Sequence, residues 1–168
     1  MFERTREGVL QIKSFEDACK CLNISPRIPT FVLKDKQLCA WYKLRTIIQA
    51  LNENYHFNLT SGTIYYPYVR IMTSEGLRRY KDDSEVVIKE FSYNGTTYTL
   101  VGGRADNGAD AGLAYFYSTN GVGYSVAYIG FLGSRSRAIA QYVSRNFATL
   151  LWDAHYAHHL GFTLTDNL

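Results

Sequence analysis

Two of this chain's Asn-Gly pairs constrain it more than any other feature. In "VVIKEFSYNGTTYTLV", Asn94-Gly95 separates two runs rich in β-branched and aromatic residues, and in "GLAYFYSTNGVGYSVAYIGFL", Asn120-Gly121 does the same. Asn-Gly is the preferred centre of a type I′ turn, whose two central residues both need positive φ and whose twist matches that of paired strands. The pattern predicts two antiparallel hairpins between Val86 and Leu132. "GGRADNGADAG" between them reads as a flexible Gly/Asp loop, a possible lid. Upstream, "TIYYPYVRIMT" reads as a further strand, and Pro67, which has no N–H for a ladder, points it towards a sheet edge.

The flanks read as helices. In "SFEDACKCLNIS", Ser14 is a candidate N-cap with Asp17 three residues on, and Asn23 suits a left-handed close. "SPRIPTFVLKDK" reads as a Pro-containing connector. "KQLCAWYKLRTIIQALNEN" carries Ala40, Trp41, Leu44, Ile47, Ile48 and Leu51 on one stripe. "SEGLRRYKDDSE" reads as a polar loop. The last helix is expected from Ser136 to about His155 as one rod of roughly 20 residues, with Ile139, Val143, Phe147, Leu150, Leu151 and Ala154 inward. Strands grouped together with helices at both ends mean α+β rather than alternating βαβ. The expected architecture is one domain, 1–168, built on an antiparallel sheet of about 4–6 strands. Two N-terminal helices occupy about 14–53, the sheet about 63–132, and one long C-terminal helix about 136–157.

Composition narrows the class. In 168 residues, 46% hydrophobic and 20% charged content fits a folded globule and excludes a disordered chain. The unusual count is 14 Tyr beside 9 Phe and 2 Trp, which fits a sheet with one wet face or a contact surface. A net charge of +3 permits a polyanionic partner without requiring one. Cys19, Cys21 and Cys39 are odd in number, and "MFERTREGVL" has no apolar signal core, so a reduced intracellular protein is expected. No apolar run approaches the roughly 20 residues of a membrane span, so no membrane partner is expected.

Few residues form a chemical signature. His155 and His159 share the i, i+4 spacing of a metal pair, with His158 between them, but histidines near a helix end also simply complement its dipole. Asp106 and Asp110 lack the regular oxygens and terminal Glu of a calcium loop. No nucleophile–base set is found, so no catalytic residue, metal or cofactor is assigned. "GFLGSRSRAIAQYV" is different. It places Arg135 and Arg137 at the start of a helix, whose partial positive charge disfavours cations. Backbone N–H groups beside arginine forks suit a phosphate or carboxylate. Arg104, Gly133, Ser134, Arg135 and Arg137 are therefore the candidate anion site. Tyr65, Tyr66, Tyr98, Tyr115, Tyr117 and Tyr128 are the candidate aromatic contact surface.

"SFEDACKCLNI…AWYKLRTIIQALNENY…YYPYV" and "FLGSRSRAIAQYVSRNF" together resemble a family of small proteins of Bacteroidetes and their phages. Those proteins share a Phe-Glu-Asp-Ala start, Ala-Tyr-Tyr-Lys-Leu leading to Ala-Leu-Asn-Glu, Tyr-Tyr-Pro, and a Gly-Ser-Arg segment before a helix. Matching positions are Lys43, Asn52, Tyr65, Tyr66, Pro67, Gly133, Ser134 and Arg135. "NENYHF" departs from the family's Gly-Trp turn, and the cysteine and lysine after Gly-Ser-Arg are missing. The resemblance implies phage or prophage origin and transfers no catalytic residue. The expected function is a non-enzymatic binding protein for single-stranded nucleic acid or another phosphate-bearing ligand. The alternative is a virion component or host-defence antagonist that binds a phage or host protein. The expected location is the bacterial cytoplasm, or the virion for a structural role.

Overall fold

A computed structural model describes residues 1–53, 64–108, 115–119, 123–128, 133–160 and 163–165. The class is α+β, but the helical layout differs from the sequence reading. Among the described residues there are six helices rather than two N-terminal ones and a single long C-terminal one. They are α1 (Phe15–Leu22), α2 (Thr30–Leu33), α3 (Lys36–Leu51), α4 (Ser74–Tyr80), α5 (Arg137–Asn146) and α6 (Ala148–Leu160). The strands are β1 (Ile64–Met72), β2 (Val86–Tyr93), β3 (Thr96–Gly108), β4 (Tyr115–Thr119) and β5 (Gly123–Tyr128), and they form one open antiparallel sheet in the order β2-β3-β1-β5-β4. Side chains are described along most of its three-stranded part, β2-β3-β1.

Local chemistry explains most of the elements. The Ser14 hydroxyl accepts the Asp17 N–H at 3.1 Å, Asp17 in turn accepts the Lys13 N–H at 3.1 Å, and Asn23 closes α1 at φ 55°. Asp35 caps α3 by accepting the Leu38 N–H at 3.0 Å. "SEGLRRY" is a helix, not a loop. Thr73 caps it at 3.2 Å, and Glu75 pairs with Arg79 one turn on at 2.9 Å. Within "SPRIPTFVLKDK", Thr30–Leu33 makes one helical turn after Pro29. The expected single C-terminal rod breaks at Phe147, which leaves helical geometry at φ −128°, ψ 27°. The break lets α5 lie on β3 and β1 while α6 packs on α3. Phe147 itself is buried and its ring lies 6.3 Å from Tyr142.

The β2–β3 hairpin turns at Asn94-Gly95, with φ 50° and 77°, both positive as a type I′ turn requires. β4 and β5 also pair antiparallel, and their Asn120-Gly121 connection lies outside the described residues. β1 is inserted between the two pairs, bonded to β3 on one side and β5 on the other. Pro67 therefore sits in a central strand rather than an edge. Tyr65 directs its N–H and C=O at Ser134, so two residues on, the Pro67 nitrogen faces the same side. The described β5 pairing starts only at Tyr68, so Pro67 falls before the β1–β5 ladder begins.

"GGRADNG" is likewise not a loop but the second half of β3. Its glycines make a bulge. Tyr68 pairs with Arg104 and Arg70 with Val101, so Gly102 and Gly103 together stand opposite Val69. α5 closes on this point. The Ser144 hydroxyl accepts the Gly103 N–H at 2.8 Å and donates to the Tyr68 carbonyl at 2.6 Å. The core then runs from Val69, Ile71 and Leu100 on the sheet through Ile139, Val143, Leu151 and Trp152 to Leu44, Ile47, Leu51 and Phe15. The opposite sheet face carries a buried ion pair. Glu85, 1% exposed, receives both prongs of Arg70, which also donates to the Tyr80 carbonyl at 2.7 Å.

A Cβ at Gly102 would stand 2.0 Å from the Ser144 carbonyl oxygen, an overlap only backbone movement can relieve. Gly102→Ala is expected to lower stability by about 2–3 kcal/mol and the Tm by roughly 5–10 °C. Gly95→Ala, with open space but positive φ, should lose only about 1 kcal/mol. Urea melts of the two variants check the order.

Candidate functional site

The two helix-start arginines take different partners. Arg135 reaches back to Glu53, which Arg4 also holds at 2.7 Å, so one carboxylate is flanked by two guanidinium groups. Glu53 follows the α3 C-cap, Asn52, at φ 53°. Its carboxyl lies below its ordinary value of 4.5, chiefly because the Arg4 side chain hydrogen-bonds to it, with Arg135 adding to the effect. Neighbouring Asn52 is 2% exposed. Its Oδ1 accepts the Arg135 N–H at 2.9 Å, and its Nδ2 donates to the carbonyls of Ile48 at 2.9 Å and Gly133 at 3.4 Å. Ser134 is buried and pairs through its backbone with Tyr65, donating at 2.6 Å and accepting at 3.0 Å. The Ser134 and Arg135 N–H groups, candidates for an anion in the sequence reading, are thus occupied by the fold itself. The Ser134 Oγ has no hydrogen-bond partner among the described residues.

Arg137 is placed differently. It is exposed at the first position of α5, donates to the Ala105 carbonyl at 2.8 Å, and lies over the Tyr65 ring at 5.2 Å. No ion pair with a carboxylate is found for it among the described residues. Arg104 belongs to the other face of the sheet. It stacks over Tyr68 at 4.6 Å and pairs with Asp106 at 3.2 Å. The five candidate anion residues therefore fall into a backbone junction (Gly133, Ser134, Arg135), a neutralised cation (Arg104) and one cation with no acid against it (Arg137).

The tyrosines do not form one face. Tyr65 has the strand parity of core-facing Val69 and Ile71, while Tyr66 and Tyr68 have the opposite parity. Tyr66 stands opposite Asp106, and burial, then the Asp106 charge, raises its hydroxyl pKa. Tyr98 stacks on Phe91 at 5.9 Å and packs against the core. Tyr115 pairs with Tyr128, and Tyr117 with Val126, at backbone level; these tyrosine side chains lie outside the described residues, as do those of His155, His158 and His159. Asp110 lies outside them altogether. Among the described residues no group of three or more His, Cys, Asp and Glu is placed to hold a metal ion, and no helix is long and apolar enough to cross a membrane.

Sequence reasoning missed Glu53 and the Ala105 carbonyl, because both partners come from segments far from the arginines they hold. Its depressed pKa makes Glu53 stabilising above the unfolded carboxylate value, and that contribution disappears as pH falls through the folded one. Glu53→Gln should therefore melt below the wild type at pH 7, and the gap should close on acidification below about pH 4. Added salt should narrow the gap at neutral pH, since these side chains are partly exposed.

No protein-family model, no curated protein and no solved structure matches this chain.

Proposed function

We propose that the chain is a phage-associated, non-enzymatic binding protein for a phosphate-bearing ligand, with single-stranded nucleic acid as the polymer that would use the site in full. The observation that carries this reading is the Arg137–Tyr65 pair. A guanidinium whose one hydrogen-bond partner among the described residues is a carbonyl retains donors for a phosphate, and the ring beneath it presents a π surface beside those donors. The family resemblance of the Tyr-Tyr-Pro and Gly-Ser-Arg segments supports the phage origin, and these two segments are the ones paired through Tyr65 and Ser134.

Fluorescence anisotropy with a labelled oligo-dT tests it. Wild type should bind at micromolar protein in low salt, with affinity falling linearly against log salt. Arg137→Gln and Tyr65→Leu should each weaken binding about tenfold, equivalent to ~1.4 kcal/mol, while circular dichroism stays unchanged. Arg135→Gln should change stability and leave oligonucleotide affinity intact. Absence of binding in low salt, or equal affinity for Arg137→Gln, would remove the reading. Stabilisation by inorganic phosphate alone, lost in Arg137→Gln, would keep the phosphate and exclude the polymer.

A further inference from the structure

The charge of this protein is unevenly distributed. Residues 24–45 hold five of the 18 Lys and Arg and one of the 15 Asp and Glu, leaving thirteen cations against fourteen acids elsewhere. The single acid, Asp35, is the N-cap of α3. Arg27, Lys34, Lys36 and Arg45 are exposed, Arg45 over the Trp41 ring at 5.7 Å. The same stretch carries four of the seven large exposed apolar side chains among the described residues. These are Ile24, Phe31, Leu33 and Leu38, with Phe31 71% and Leu33 56% exposed.

Their arrangement comes from α2. Val32 is 4% exposed and anchors this turn, which lies against α3. At 100° per residue, Phe31 and Leu33 project from opposite flanks, and exposed Thr30 and Lys34 occupy the crest. The result is a ridge, apolar on both sides, with the cation of Lys34 on its top beside Thr30. A flat bilayer laid on it would meet the crest first and leave the apolar flanks aside. Nucleic acid would find one exposed ring, Phe31, among aliphatic Ile24, Leu33 and Leu38, which offer no π surface for stacking successive bases. A protein surface can wrap a ridge, taking each apolar side chain into a pocket with charges paired around the rim.

We propose that the α2 ridge is a docking element for another protein, whose surface is acidic and carries apolar pockets for Phe31 and Leu33. The site is separate from Arg137, so each can fail without the other.

The test selects a random peptide display library on the full chain, with the double variant F31A/L33A as counter-target. Both positions are exposed, and circular dichroism and a thermal melt matching the wild type confirm that the variant is folded. The proposal expects recovered peptides to be enriched in Asp or Glu together with large apolar residues. Their affinity should fall at least about tenfold for the double variant and weaken with salt. Lys34→Glu should also weaken them. Failure to enrich any peptide, peptides without acidic residues, or equal binding to the double variant would overturn it. So would binding to phosphatidylcholine–phosphatidylglycerol vesicles, or to oligo-dT, that depends on Phe31 and Leu33, since the ridge would then serve a bilayer or a nucleic acid.

Discussion

One hydroxyl bridges the sheet's bulge and its helix layer. The bulge at Gly102–Gly103 interrupts the β1–β3 ladder, and such a gap in a covered sheet leaves buried donors and acceptors to satisfy. Ser144 fills it from α5, accepting from one strand and donating to the other. Only glycine at 102 lets the helix backbone come near enough. The depth of α5 against the sheet follows from this contact, and with it the position of Arg137 over Tyr65.

The bulge also decides which side chains share a face. Without the extra residue, Arg104 would have the parity of Leu100 and point into the helix layer. With it, Arg104 stands beside Tyr68 on the opposite face, where Asp106 and the Arg70–Glu85 pair also lie. A one-residue slip inverts every later side chain in a strand. The arginines that look alike in the sequence are consequently separated: one stacks on the outer face, one braces Glu53, and one remains at the sheet's end with a carbonyl for a partner.

What could be read from the sequence was local. Ser14 with Asp17, Asn23, Asn94-Gly95 and the apolar stripe of α3 each act within a few residues, and each stands in the structure as its chemistry implies. The errors arose where a distant partner decides the outcome. Pro67 reads as an edge residue until Ser134 and β5 divide its open side between them. "GGRADNG" reads as a loop because glycines weaken strand propensity, whereas a helix pressed against them makes glycine the fitting residue. The C-terminal rod reads as continuous because its periodicity survives the break at Phe147. The candidate site was visible as residue types at the α5 start. The sorting of its arginines by Glu53, Asp106 and Ala105 was not.

The central position of β1 bears on how the chain reaches this state. The β2–β3 hairpin closes through a two-residue turn, and such hairpins form in microseconds. β1 precedes both strand pairs in the chain, yet it must enter between them, joining Ile64 to Gly108 and Tyr68 to Ala127. Those contacts join residues 44 and 59 positions apart, and closing loops of that length costs entropy before the pairing repays it. Without β1 in place, β3 and β5 would each present an open ladder edge, the kind of edge that invites strand pairing with other chains.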